Sequence, residues 1–238
     1  MTLQFDPNAL EDTGAQSLMK DLGQKAHLEG HLAELRERLA NLSEMAAPLQ
    51  RAELQLEMAR ALQVLGRGAE GWAIGRMAFG TFAAHGRWEP AADACDVLYL
   101  CDQADSLSAL GQGIWIGVTF PIDPEITVHL LSHVVDDTPD DADGAAVAAA
   151  TAAFLADVRA PDGTDRDRLV FFANQLLGRV ARRHGGVSDQ AQFEGWAQRL
   201  ELDQPEKFLV RLRNVVDVLV QDDWWIDRDA IQASLPVN

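Results

Sequence analysis

Residues 62–98 read LQVLGRGAEGWAIGRMAFGTFAAHGRWEPAADACDVL and decide how the chain folds. Two short breaks, Gly66-Arg67-Gly68 and His85-Gly86-Arg87-Trp88, separate three segments that each have the length of a helix. Glycine readily adopts the left-handed backbone conformation that closes a helix C-terminus, so each break falls where a helix should end. Helices joined by such tight turns pack as antiparallel neighbours. The stretch therefore predicts a stack of helical hairpins.

The segment between the two breaks, residues 69–84, is rich in alanine and glycine. Each glycine lowers helix propensity, so a helix of this composition is stable only where neighbouring helices pack closely on it. We therefore expect this helix to lie centrally, packed on both sides. Its large residues are Trp72, Ile74, Met77, Phe79 and Phe82.

Apolar residues recur at helical spacing along the rest of the chain, and no stretch favours a sheet. The predicted fold is all-α, with antiparallel helical hairpins stacked as a short solenoid or an irregular bundle of about eleven helices. For residues 106–120, the sequence does not distinguish a short helix from a buried extended segment. The other predicted helices span 15–45, as one kinked helix or two, 49–65, 69–84, 89–103, 125–137, 140–159, 165–184, 189–200, 205–221 and a short segment after Asp227.

Prolines and acidic residues mark the expected domain organisation. Residues 1–13 are predicted to be a tail. Pro121 and Pro124 indicate a seam between two halves. The expected halves are 14–120, which contains the helical hairpins, and 121–238, a C-terminal helical half packed on the first.

The composition is that of a globular and strongly acidic protein. Hydrophobic residues make up 47% of the 238 residues, which is enough for a full core. The formal net charge of −17 repels phosphate backbones and anionic lipid, so we expect neither nucleic acid nor a membrane as a partner. The acidity fits solubility alone, a basic protein partner or, last of the three, mimicry of nucleic acid, since the carboxylates are spread along the chain rather than regularly spaced.

The cysteines and the N-terminal residues indicate a reducing compartment. Cys95 and Cys101 are six residues apart on one predicted helix, so they face different sides and form neither a mutual disulfide nor a shared metal site. The chain lacks both a signal-peptide pattern at its first residues and an apolar run of about 18 residues. We expect a cytoplasmic protein without a cofactor.

The second break resembles the inter-helix turn of a tetratricopeptide repeat, with Phe82, Gly86, Trp88 and Ala91 at the family's aromatic, glycine, aromatic and small positions. The resemblance covers about residues 50–103. The two turn glycines are only 20 residues apart, whereas the family period is 34, so they bound one shared helix. The resemblance implies a helical-hairpin stack that binds another polypeptide; the alternative is an ordinary α-helical domain with glycine-closed turns.

In that family the first helix of each hairpin lines a concave binding surface, here the predicted helices 49–65 and 88–103. Arg51 and Arg60 lie on the first of these, and Arg67 and Arg87 lie at the two turns. Such a groove would bind an acidic segment or a terminal carboxylate, because arginine makes bidentate contacts with carboxylates. The alternative is that nearby glutamates neutralise the same arginines.

Trp224 and Trp225 lie between acidic residues near the end of the chain. Two adjacent tryptophans on one helix cannot both point inward. One interpretation is an exposed aromatic anchor for a partner. The other is a C-terminal staple that packs the last helix.

Two His-x-x-x-His pairs are the candidate metal ligands, His27/His31 and His129/His133. Spacing of four places both imidazoles of a pair on one helix face, as in zinc sites. Asp137 continues the second pair, and His129, His133 and Asp137 form the expected trio, with a water or another helix as fourth ligand. The alternative is a chance spacing on an acidic surface.

No phosphate-binding loop, nucleophile elbow or dinucleotide fingerprint occurs in the sequence. The expected function is therefore a non-enzymatic adaptor or dedicated chaperone that binds another protein, with a homodimer left open. The alternative function is a metal-binding helical protein or metalloenzyme that uses His129 and His133.

Overall fold

The computed structural model describes residues 8–43 and 48–235, and it describes side chains from residue 23 onward. Within these ranges the chain forms eleven α-helices and no strand, which confirms the predicted all-α fold. The helices are α1 (Asn8–Asn41), α2 (Pro48–Val64), α3 (Gly68–Ala84), α4 (Trp88–Leu100), α5 (Ser106–Thr119), α6 (Pro124–Asp137), α7 (Asp143–Arg159), α8 (Thr164–Gly185), α9 (Gln190–Arg199), α10 (Pro205–Val220) and α11 (Arg228–Ser234).

The turns that bound α3 have the same backbone hydrogen-bonding pattern. Gly66 and Gly86 are left-handed, with φ of 74° and 64°. In the second turn, Arg87 N donates to Phe82 O at 2.9 Å. The first turn has the same kind of bond, again between residues five positions apart in the sequence. This is the arrangement in which a left-handed residue closes a helix and satisfies its last carbonyls. A Cβ at Gly86 would meet no atom within 4 Å, so this glycine is required by its backbone conformation alone.

Helix α3 packs between α2 and α4 at a distance that glycine permits. A Cβ on Gly68 would lie 2.2 Å from Cys101 O at the end of α4, and one on Gly71 would lie 3.0 Å from Ala59 O of α2. The expectation of close packing therefore holds toward both neighbouring helices. Met77 projects from another face of α3 and is exposed, so the helix is not enclosed all round.

The helices form two layers. Successive helices from α1 to α9 contact one another, and the even-numbered helices also make a continuous series of contacts from α2 through α4 and α6 to α8. Helix α10 then returns to pack against α5 and α7. Helices α2, α4, α6 and α8 thus share one side of the molecule, while α10 covers part of the layer formed by the odd-numbered helices.

The hydrophobic core is continuous across the predicted seam. Its main cluster includes buried residues of every helix from α2 to α10, on both sides of Pro121. A smaller cluster joins α1 to α2 and consists of Leu32, Leu35, Leu54, Met58, Ala61 and Leu62. Helix α5, which the sequence left open between helix and extended segment, is a helix buried at most of its positions.

A polar network attaches the segment after α10 to α5. Gln112, fully buried, accepts a hydrogen bond from Trp225 N at 2.9 Å and donates one to Asp223 O at 3.2 Å. Ser108 Oγ also donates to Asp223 O, at 3.2 Å. Because a buried amide must be paired, this network fixes where the chain lies after α10.

Several helix ends differ from the predicted ones. Helix α1 begins at Asn8, inside the stretch predicted as a tail, and is a single helix. Helix α4 ends at Leu100, because the backbone turns left-handed at Asp102 with φ of 52°. Helix α6 begins as expected, since the Asp123 carboxylate accepts a hydrogen bond from Glu125 N at 2.9 Å.

Among the described residues, no helix combines the length and apolar character needed to cross a membrane. Cys95 and Cys101 are both buried and unpaired, consistent with the predicted lack of a mutual disulfide.

Candidate groove and His–Asp cluster

The even-numbered helices line an open groove with a volume of about 740 Å³. Helices α2, α4, α6 and α8 all contribute to it, so the groove crosses the whole layer. The lining residues are Arg60, Asp93, Asp96, Glu125, Ile126, Val128, His129, Asp165, Arg168, Leu169 and Phe172.

The groove carries more carboxylates than guanidinium groups. Arg60 Nη2 lies 2.6 Å from Asp93 Oδ1, and Arg168 Nη1 lies 3.6 Å from Asp165 Oδ1. Both arginines of the lining are therefore paired with carboxylates of the same lining. The two remaining carboxylates leave the groove with a negative net charge.

An apolar strip accompanies this charge. Ile126 and Val128 come from α6, and Leu169 and Phe172 come from α8. The Phe172 side chain is 46% exposed, which is unusual for a phenylalanine in a chain with a full core. The adjacent Phe171 is 66% exposed but does not line the groove.

One end of the groove contains a cluster of Asp96 from α4 with His129 and His133 from α6, called here the His–Asp cluster. His133 Nε2 lies 2.8 Å from Asp96 Oδ1, and His129 Nε2 lies 3.7 Å from the same oxygen. One ligand atom from each of the three residues lies within 4.8 Å of the others. The imidazole rings meet edge to face, with centroids 4.7 Å apart.

The three side chains differ in exposure. The Asp96 side chain is 8% exposed and that of His133 is 15% exposed, whereas that of His129 is 55% exposed. The ring of Tyr99 lies against His133, with centroids 4.5 Å apart, and helps hold the imidazole in place. The cluster thus has a buried end at Asp96 and an open end at His129.

Asp137, the predicted third ligand, takes a different partner. Tyr99 Oη donates a hydrogen bond to its carboxylate. Successive steps of four residues rotate each side chain about 40° further round a helix, so Asp137 is turned well away from His129. Asp96 on the neighbouring helix contributes the third ligand atom of the cluster instead.

Asp96 is not among the candidate ligands expected from the sequence, although a signal for it exists. It lies in the segment Ala94-Cys95-Asp96-Val97-Leu98, where it is the only polar side chain. A carboxylate among consecutive buried apolar residues is rare and usually has a specific partner. The pattern identifies Asp96 as unusual, but it does not identify the facing histidines.

The arginines predicted to bind a partner do not converge. Arg60 lines the groove, whereas Arg51 is half-buried on α2 and Arg87 is exposed at the second turn. Arg67 donates to Glu70 at 2.8 Å and 2.6 Å, and this hydrogen bonding raises the pKa of the Arg67 guanidinium. The groove therefore contains one of the four arginines.

Trp224 and Trp225 are half-buried and contact the rest of the fold. The Trp225 ring lies 6.0 Å from that of Trp72, and Arg76 Cζ lies 3.5 Å from a Trp225 ring centroid. The Trp224 ring meets that of Trp115 edge to face at 6.1 Å. These contacts pack the two tryptophans on α3 and α5.

The other histidine pair has a different environment. His27 and His31 lie on α1, and both are exposed. Among the described residues, neither belongs to a group of three candidate ligands. The two histidine pairs therefore have the same spacing in the sequence but different surroundings in the structure.

The chain has no significant match among protein-family models, and it has none among the curated proteins or the solved structures. The groove and the His–Asp cluster are accordingly interpreted from their own geometry.

Proposed function

We propose that this protein is a non-enzymatic adaptor or dedicated chaperone whose groove binds a segment of another polypeptide. The observation that carries the proposal is the groove itself, which crosses α2, α4, α6 and α8 and exposes the apolar ring of Phe172. Extended grooves on stacked helical hairpins are suited to binding polypeptide segments. An exposed aromatic residue beside charged groups is a typical anchor position.

The charge of the groove favours a basic segment. Its arginines pair with carboxylates of the same lining, Arg60 with Asp93 and Arg168 with Asp165, so the groove has no surplus positive charge to attract an incoming carboxylate. The exposed Glu125 carboxylate, which pairs with neither arginine, attracts lysine and arginine side chains and increases the rate of association. The proposed ligand is therefore a segment with lysine or arginine residues flanking an apolar residue, which packs on Phe172.

The tetratricopeptide-like turn supports the same proposal. In that family the first helix of each hairpin lines the binding surface. Helices α2 and α4 precede and follow the shared helix α3, and both line the groove. The resemblance and the groove thus point to the same side of the molecule.

The test is a selection of binding peptides from a random display library on the full chain. We expect the selected peptides to be rich in lysine and arginine around an apolar residue. Phe172→Ala should weaken their binding by at least about tenfold, which is the usual cost of truncating an anchor residue. Phe171→Ala is the matched control, because it removes a neighbouring exposed ring outside the groove.

Two results would contradict the proposal. One is a set of acidic peptides, and the other is equal loss of binding in the Phe171 and Phe172 variants. Salt dependence provides a second measurement, because affinity for a basic peptide should fall as ionic strength rises.

A further inference from the structure

The His–Asp cluster directs two imidazole nitrogens at a single carboxylate oxygen. His133 Nε2 and His129 Nε2 lie 2.8 Å and 3.7 Å from Asp96 Oδ1. A hydrogen bond between His133 and Asp96 accounts for the shorter distance alone. The longer distance leaves the His129 nitrogen facing the same oxygen without a normal hydrogen bond.

We infer that Asp96, His129 and His133 form a binding site for a divalent transition-metal ion. Zinc binds histidine nitrogen and carboxylate oxygen at about 2.0–2.2 Å, so neighbouring ligand atoms of a tetrahedral site lie about 3.3 Å apart. The two measured separations lie on either side of this value. All three ligand atoms lie within 4.8 Å of one another, so side-chain shifts on the order of an ångström would bring them to bonding distance of one ion.

The charge around Asp96 supports a cation at this position. A carboxylate with 8% exposure is costly to bury unless a positive charge accompanies it. Within the described part of the chain, no lysine or arginine nitrogen lies within 4 Å of it; the nearby Arg60 is paired with Asp93. A bound divalent ion would neutralise the carboxylate, and it would leave both imidazoles in the neutral form that binds metals.

The cluster provides three ligands and leaves a fourth position open. Asp96 and His129 both line the groove, so this position faces the groove rather than the core. An open coordination position of this kind takes a water molecule or a group from a bound ligand. On the buried side, the Tyr99 ring packs on His133 and limits its reorientation.

The metal site goes beyond peptide binding, and the two can be tested separately. Contacts with Phe172 need no ion, and metal binding needs no peptide. Loss of either property leaves the other measurable.

The experiment is a zinc titration of the chelator-stripped full chain by calorimetry, without added peptide. We expect one ion to bind with Kd of about 1 μM or lower. Asp96→Asn and His133→Ala should each weaken binding by at least about 100-fold, since loss of an outer-shell partner alone costs up to that amount. Asp96→Asn keeps the side-chain size, and circular dichroism verifies that each variant is folded.

The second histidine pair provides the matched control. The double variant His27→Ala/His31→Ala removes two imidazoles at the same spacing and should bind zinc as the unmodified chain does. Nuclear magnetic resonance of the imidazole protons adds a local measurement, in which zinc should shift the signals of His129 and His133. Zinc binding weaker than about 1 μM, or full retention of affinity in Asp96→Asn, would overturn the inference and leave a hydrogen-bonded His–Asp pair.

Discussion

The two His-x-x-x-His pairs of this chain have equal spacing and different surroundings. His27 and His31 lie exposed on α1, whereas His129 and His133 on α6 face Asp96 of α4. Spacing within one helix places two imidazoles together in both cases. A carboxylate from a second helix is what distinguishes the pair on α6.

The difference extends to the packing around each pair. Helix α1 contacts the rest of the protein through the small cluster that includes Leu32 and Leu35. Helix α6 lies in the main core and contacts α4, α5, α7 and α8. On α6, contacts with four other helices place a carboxylate opposite the histidine pair. On α1, which contacts α2, the histidine pair faces solvent.

The prediction with the largest expected effect compares a glycine substitution near each histidine pair. A Cβ on Gly113 would lie 2.8 Å from Cys95 Cβ and 3.1 Å from Leu130, and these residues adjoin Asp96 and His129. Gly113 lies on α5, so Gly113→Val should push α5 away from α4 and α6 and lower the free energy of unfolding by about 3 kcal/mol. Urea denaturation measures this loss.

The matched substitution is Gly30→Val, beside His31, where a Cβ would meet nothing within 4 Å. It should change the free energy of unfolding by less than about 0.5 kcal/mol. Equal effects of the two substitutions would show that the packing around the two pairs does not differ as described.

A smaller effect concerns the histidines themselves. His133→Ala removes the hydrogen-bonding partner of the nearly buried Asp96 carboxylate. In the metal-free protein it should lower the free energy of unfolding by about 1–2 kcal/mol, the usual cost of leaving a buried polar group unpaired. His27→Ala is the exposed control and should have almost no effect on thermal unfolding. A loss of stability in the control as large as that in His133→Ala would remove the distinction between the pairs.

The last test concerns how well water is excluded at the end of α4, the helix that carries Asp96. Burial raises the pKa of the Cys101 thiol from 9.0 to about 11. The folded protein then retains a proton that the unfolded chain releases, so this stabilising contribution is complete below pH 9 and is lost as pH rises toward 11.

Cys101→Ser lacks this titration, so its stability should fall less steeply between pH 9 and pH 11 than that of the unmodified chain. Urea denaturation at several pH values measures both slopes. Identical slopes would indicate that the thiol titrates normally and that water reaches it.

Much of the fold follows from local sequence signals. Gly66 and Gly86 act through the backbone of single turns, and Asp123 caps α6 by a bond to a residue two positions away. Such signals need no knowledge of the rest of the chain. The end of α4 escaped prediction because a left-handed aspartate, Asp102, closes it where glycine is the usual signal.

The site was less predictable, because it depends on contacts between helices. The spacing of His129 and His133 is visible in the sequence, but the helix that faces them is not. The trio with Asp137 took three candidate ligands from one helix and left only the fourth to a water or another helix, whereas Asp96 of the observed cluster comes from α4. Likewise, the pairing of Arg60 with Asp93 depends on how α2 lies against α4.

The attachment of residues 223–225 to α5 has a consequence for how the protein folds. Most helix pairs are neighbours in sequence, and such local contacts form quickly, even while the chain is being synthesised. The bond between Trp225 N and Gln112 Oε1 instead spans 113 residues. Until Trp225 has emerged from the ribosome, the Gln112 amide lacks its final partners. We therefore expect the C-terminal segment to close over α5 late in folding, after the local helix pairs have formed, and α5 to be accessible to a chaperone or an aggregating neighbour until then.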